Sequence, residues 1–537
     1  MNLFVFYLLC GVTLASCFEP RVDPLVLLDQ GLVRGLRSSD GSYSSFLGIP
    51  YGLVDPDNPF GPAKEHPGFG KIIYNAYYGL TKCPQSVVYE PSSGRSRDEV
   101  LDCLRLNIFS PSAASSQHPL PVLVWIHGGD FELGYGGEYH PESLVKQNII
   151  VVTINYRLGA YGFMCLDIPA VPGNQGLKDQ YQALKWIKNN IQAFGGDPNR
   201  ITLAGQGSGA SSALLHLYSD QEKLYDKIIA ESGSPQTVGT FAEGDVEAAL
   251  KLSRHLGFIT DSNEEALKFL AKTSHELVSA AAVELRLNLR PCKEKSFSGI
   301  SNFVESDPFS LSNENKVRNT PVLIGETRNQ HVGLTNVYGN DYFKGDPFYD
   351  KIVNNFNLDE KQLKDAVRIV RNFYIGDEPV SRLVEADLEK FDTDFDSNHP
   401  IQRLITNLLY ENASPIYEYE FSYTDHMMER KASNSEELKY LFNMLRDRVR
   451  MSPENLIVID RMTTMWANFI KYGDPTPETN DLLPVKWTPV TEDTRPYLVI
   501  DSLLELKSRI NKERMAFWDL FFLKYGDRNK YYRQCDI

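Results

Sequence analysis

The chain has 537 residues, with 55 Lys plus Arg against 70 Asp plus Glu and a formal charge of −15. Apolar residues make up 42% and charged residues 23%, a globular mix that excludes disorder and low complexity. The charge is spread along the chain, leaving no basic stripe to displace counterions from nucleic acid or to meet an anionic membrane surface.

In chain order, the first feature is MNLFVFYLLCGVTLASC at 1–17, uncharged and mostly apolar, with small residues at Ala15 and Cys17. It reads as a signal peptide cleaved before Phe18, so a secreted, extracellular chain spanning 18–537 as one domain is expected. A membrane span needs about 20 apolar residues, and no later stretch offers that. Removing Cys10 and Cys17 leaves Cys83, Cys103, Cys165, Cys292 and Cys535, an odd set with at least one unpaired or intermolecular thiol. Five are too few for a disulfide scaffold, so packing must supply the core.

PVLVWIHGG (121–129) and IIVVTINYR (149–157) read as buried strands, continuous and β-branched. QGLKDQYQALKWIKNNI (175–191) places Leu177, Tyr181, Leu184, Ile187 and Ile191 at helical spacing. RITLAG (200–205) predicts a strand and SGASSALLHLYS (208–219) the helix after it; KIIAESG and TPVLIGET supply further strands. This rhythm predicts an α/β fold with a mostly parallel sheet flanked by helices. Helical patterns at about 243–283 and 359–411 read as insertions above the sheet.

Motifs along nearly all of 18–537 then become recognisable. FLGIPYG (46–52), DCLRLNIFSP (102–111), VWIHGGDF (124–131), INYRLGAYGF (154–163), GNQGLKDQYQALKWI (173–187), FGGDPNRITLAG (194–205) and MTTMWANFIKYGDP (462–475) resemble type-B carboxylesterases and cholinesterases. The resemblance implies the α/β-hydrolase fold and catalytic residues in the chain order Ser, Glu, His. The nucleophile of that fold sits in G-x-S-x-G. Here the turn reads Gly205-Gln206-Gly207-Ser208-Gly209, which puts Gly207 at the nucleophile position. The family's acid falls on Gln330 in PVLIGETRNQHVGL, and its base on Asn434 in KASNSEELKYLF. Neither can do the acid–base work of the residue it replaces. Ser208 lies one helical step away, rotated by about 100°, and reads as a small residue of the first turn. Its N–H, with those of Gly128 and Gly129, would form a vestigial oxyanion hole. Asp130 follows these glycines; whether it faces the pocket or solvent is left open. His127 reads as a structural loop histidine.

The resemblance also implies a Cys83–Cys103 disulfide and a buried Arg157–Asp179 ion pair. The later cholinesterase-type bridge is missing at both ends, where His399 and Met515 stand. Cys165 and Cys292 are expected as buried thiols, and Cys535 as either free or linking a homodimer. His331 and His426 lie near the vacant base and read as surface histidines. Asn412-Ala413-Ser414 is a weak glycosylation sequon before Pro415. No metal or nucleotide motif occurs, so no cofactor is expected.

These readings point first to a secreted, catalytically inactive carboxylesterase-like protein that works by binding, as cholinesterase-like adhesion proteins do. Its partner would be an extracellular protein or a hydrophobic small molecule. The second reading is a carrier of an ester or lipid-like ligand in the former gorge. The third is a weak or atypical carboxylic ester hydrolase.

Overall fold

The structure is a computed structural model that describes residues 23–85, 98–331, 339–425, 432–443 and 451–530. The expected 1–17 signal peptide, His426 and Cys535 lie outside these residues.

An 11-stranded sheet organises the chain. Its strands are β1 (Leu36–Arg37), β2 (Tyr43–Pro50), β3 (Arg105–Pro111), β4 (Leu120–Ile126), β5 (Ile150–Ile154) and β6 (Gly196–Gln206). They continue as β7 (Lys227–Glu231), β8 (Val322–Thr327), β9 (Ile416–Phe421), β10 (Pro496–Ile500) and β11 (Leu504–Ser508). The spatial order is β11-β10-β9-β8-β7-β6-β4-β5-β3-β2-β1. From β10 to β5 neighbouring strands run parallel; the two margins are antiparallel.

The continuous apolar runs of the central strands follow from covering both faces, because alternate side chains point to opposite sides. Val122, Val124 and Ile126 enter one core, and Leu123 and Trp125 the other. The first core is closed by α1 (Gln175–Asn190) and α2 (Ser208–Tyr218). Beyond them come α3 (Pro347–Asn355), α4 (Glu385–Thr393) and α5 (His399–Tyr410). A 20-residue helix, α6 (Pro453–Tyr472), covers the second face, and α7 (Lys512–Tyr525) ends the described fold. α3, α4 and α7 share a third apolar cluster around the fully buried Trp518.

The sequence-predicted elements fall within a few residues of the observed ones. Arg157 and Asp179 are each 1% exposed and 2.6 Å apart. The arginine also donates to the carbonyls of Pro59 and Gly61. Cys83 and Cys103 are bonded, as the resemblance implies. The thiol reading of Cys165 and Cys292 is corrected: they form a second disulfide across 127 residues. Sequence distance concealed it, since the loop between them must pass through the sheet before the two meet. Gly173 lies against this bridge, where an added Cβ would come within 2.8 Å of both sulfurs. His399 and Met515 are both buried, and His399 Nε2 lies 3.2 Å from Asp519 Oδ1. Among the described residues no helix is long and apolar enough to cross a membrane.

Candidate active site

Ligands of open α/β sheets gather at the carboxyl ends of the strands, beside the reversals in strand order. Here those ends are Ile126 of β4, Gln206 of β6, Glu231 of β7 and Thr327 of β8, and the loops leaving them converge. β6 turns into α2 at Gly207, which has φ 56° and ψ −122°. That backbone is open to glycine and strained for any residue with a Cβ. The flanking glycines are there for contact: a Cβ on Gly205 would stand 2.4 Å from the Gly209 carbonyl carbon. A Cβ on Gly207, in contrast, would meet nothing within 4 Å.

The open side of Gly207 is a cavity of about 540 Å³. Its wall includes Asp130, Ser208, Ser232, Arg290, His331, Lys351, Asp396 and Asn434. Asp130 stands at the mouth of this cavity and is exposed to solvent. Its φ of 54° and that of Phe131, 61°, show how tightly the glycine loop turns. Ser208 is 7% exposed, and its Oγ accepts from the Phe131 N–H at 3.4 Å. His127 is buried on Tyr156, its ring centroid 4.4 Å away, and burial pushes its pKa down to about 4. It is therefore a neutral packing residue, as read from the sequence.

Gln330 sits one layer behind the wall. Its Nε2 donates to Ser232 Oγ at 3.0 Å and to the Thr327 carbonyl at 3.3 Å. Ser232 Oγ in turn lies 3.3 Å from Glu437 Oε1. Asn434 reaches the elbow from the other side, where its Oδ1 accepts from Gln206 Nε2. Gly207, Asn434, Ser208 and Asp130 thus share one cavity, and Gln330 contacts it through Ser232. Gly129 (φ 109°) is at the exposed turn of the loop, whereas Gly128 is pressed against the Gln206 carbonyl oxygen. Cys83–Cys103 lies away from the cavity lining, and Asn412 is exposed beside the β9 entry, next to a cis Ser414–Pro415 bond.

Several groups here escaped the sequence reading. Glu231 and Glu437 are fully buried behind the elbow, and burial drives both carboxyls upward toward the neutral form. Trp466 Nε1 donates to Glu231 at 2.7 Å. Glu437 stands in a recognised motif; its pairing with Ser232 does not show in one dimension. His331, taken as a surface histidine, instead lines the cavity, with Nε2 3.4 Å from Asp396 Oδ2. Asp396, Lys351 and Arg290 come from separate loops and helices without any local signature. Among the described residues no group of three or more His, Cys, Asp or Glu side chains is placed to hold a metal.

A mostly parallel sheet whose glycine elbow opens into such a pocket is the α/β-hydrolase fold. A model described as "Carboxylesterase family" matches residues 22–518, and the chain belongs to that family. It is 29% identical to Esterase FE4 of Myzus persicae over 92% of this chain and 90% of that protein. It is 31% identical to Juvenile hormone esterase of Heliothis virescens over 85% of this chain and 87% of the relative. Bile salt-activated lipase of Mus musculus is 26% identical over 93% and 87%. These relatives are named as esterases and a lipase. The adhesion-type, inactive binding protein expected from the sequence is therefore corrected: the comparisons point to ester hydrolysis, and nothing in them indicates a binder.

Proposed function

We propose that the chain is an atypical carboxylic ester hydrolase that takes its ester in the elbow cavity and turns it over slowly. The observation that carries this reading is the Gly207 elbow, whose open side faces a cavity of about 540 Å³. In this reading Gly207, Gln330 and Asn434 occupy the serine, acid and base positions, so no acyl-enzyme forms. Water must attack the carbonyl directly. Binding and oxyanion contacts alone sustain roughly 10³–10⁴-fold acceleration over water when triad groups are removed from a serine hydrolase. The N–H groups at the start of α2 and in the 128–131 loop are the donors available for that. Asp130 opposes them to the extent that its charge faces the developing oxyanion.

The two disulfides suit an oxidising compartment, and with the 1–17 leader they support secretion. The test is hydrolysis of nitrophenyl and naphthyl butyrate by purified protein, with a fluorophosphonate label in parallel. The expected result is a slow, protein-proportional rate without covalent labelling. A rate equal to the buffer blank overturns the reading, and stoichiometric labelling at Ser208 overturns the water-attack mechanism.

A further inference from the structure

With no side-chain nucleophile at position 207, turnover depends on whatever can take a proton from water inside the cavity. Asn434 and Gln330 are amides and cannot. Asp130 and Asp350 are exposed at the cavity mouth, and the Asp396 carboxylate is paired with Lys351. Ser208 and Ser232 are bound to their own partners.

His331 remains. It follows β8, one residue beyond Gln330, and its backbone N–H donates to Thr393 Oγ1 at 3.2 Å, which ties the loop to α4. Its ring is one-third exposed and shares the cavity wall with Gly207, Ser208 and Asn434. Asp396 backs the ring, with Oδ2 3.4 Å from Nε2. Asp396 belongs to a five-residue π-helical turn, Asp394–Asn398, between α4 and α5. A π turn displaces one residue from helical register, and such turns recur at functional sites. The carboxylate is also anchored by Lys351 of α3. Its second oxygen, Oδ1, is buried without a hydrogen-bond partner. A carboxylate this close to an imidazole stabilises the imidazolium formed on proton uptake.

We propose that His331, with the Asp396 carboxylate beside its ring, is the general base of a one-step ester hydrolysis in the elbow cavity. This rests on the ester-hydrolase reading of that cavity. The ring nitrogen remote from Asp396, Nδ1, takes a proton from water as the water oxygen bonds to the ester carbonyl carbon. The resulting tetrahedral oxyanion then expels the alcohol. The carbon–oxygen bond breaks, the departing alkoxide oxygen receives the proton from Nδ1, and acid and alcohol leave. Nothing is oxidised, and no co-reactant beyond water enters.

The experiment compares butyrate ester hydrolysis by wild type, His331→Ala and His331→Gln, each with and without added imidazole. A general base contributes about 10²–10⁴-fold, so both variants should lose at least about 10²-fold or fall to the blank. Imidazole should restore saturable turnover in His331→Ala above a protein-free imidazole blank, and have no such effect on wild type or His331→Gln. A structural role for the ring would not give imidazole rescue. Equal urea midpoints for the three proteins establish that the fold is retained. Should wild type hydrolyse esters while His331→Ala keeps its rate, or loses it without rescue, the role of His331 is refuted and the ester-hydrolase reading stands. Absence of wild-type turnover removes both.

Discussion

Gly207→Ser puts the family's nucleophile back and at the same time measures what the glycine relieves. The backbone at φ 56° and ψ −122° lies outside the regions open to L-residues. Holding a side-chain-bearing residue there costs about 1–3 kcal/mol. Sterics add nothing, because the new Cβ has no neighbour within 4 Å. Replacing glycine also reduces unfolded-chain entropy, which returns about 0.4–1 kcal/mol. The net loss should be about 1–2 kcal/mol, read as a lower urea midpoint at unchanged slope. Gly207→Ala should lose the same amount, since the penalty resides in the Cβ and not in the hydroxyl. Either variant gaining stability would refute the strain argument. A loss above about 4 kcal/mol would mean that the cavity is too narrow for a side chain. Ester turnover should barely rise in Gly207→Ser, because an unassisted hydroxyl is a poor nucleophile.

Gly207→Ser combined with Gln330→Glu and Asn434→His supplies a full set of triad side chains, so covalent fluorophosphonate labelling should appear in the triple variant and in no single one. Adding Asp130→Gly should raise that variant's esterase rate by about 10²-fold if the carboxylate opposes an oxyanion donor, and leave it unchanged otherwise. Asp179→Asn leaves the buried Arg157 without its countercharge and should cost about 3–5 kcal/mol in urea unfolding. Burial raises Glu418 to about 7 and Asp394 to about 6. Because both are raised, their contribution to stability is full at low pH and is lost as pH climbs through 6 to 7. The urea midpoint should therefore be higher at pH 5 than at pH 8 on their account, and Glu418→Gln should narrow that gap.

The sheet was legible because each central strand is buried on both faces and so reads as an unbroken β-branched run. IIVVTI at 149–154 splits between the two cores residue by residue. The elbow was legible from its glycines, whose spacing answers to a backbone contact between Gly205 and Gly209. The environment of the cavity was not. Glu231 and Glu437, 206 positions apart, meet only once β7 is laid beside the loop after β9. His331 gave no sign of an inward orientation, since Asp396 reaches it from an insertion about 65 residues later. Periodicity reports which face of an element is covered; it is silent on which loops share the space above the sheet.

The Cys165–Cys292 bond makes residues 165–292 a covalent ring, and β6, the elbow, α2 and β7 all lie within it. Cys83–Cys103 closes a separate, smaller ring upstream, and the two share no residues. During synthesis each cysteine can therefore pair with the next one to emerge, without waiting for a later partner or undoing an earlier bond. The same connectivity governs how the protein comes apart. A protease cutting once between β7 and Cys292 would leave both fragments tethered, and only a reductant would release them. A cut before residue 165 or after 292 would separate by denaturation alone, apart from the stretch between Cys83 and Cys103.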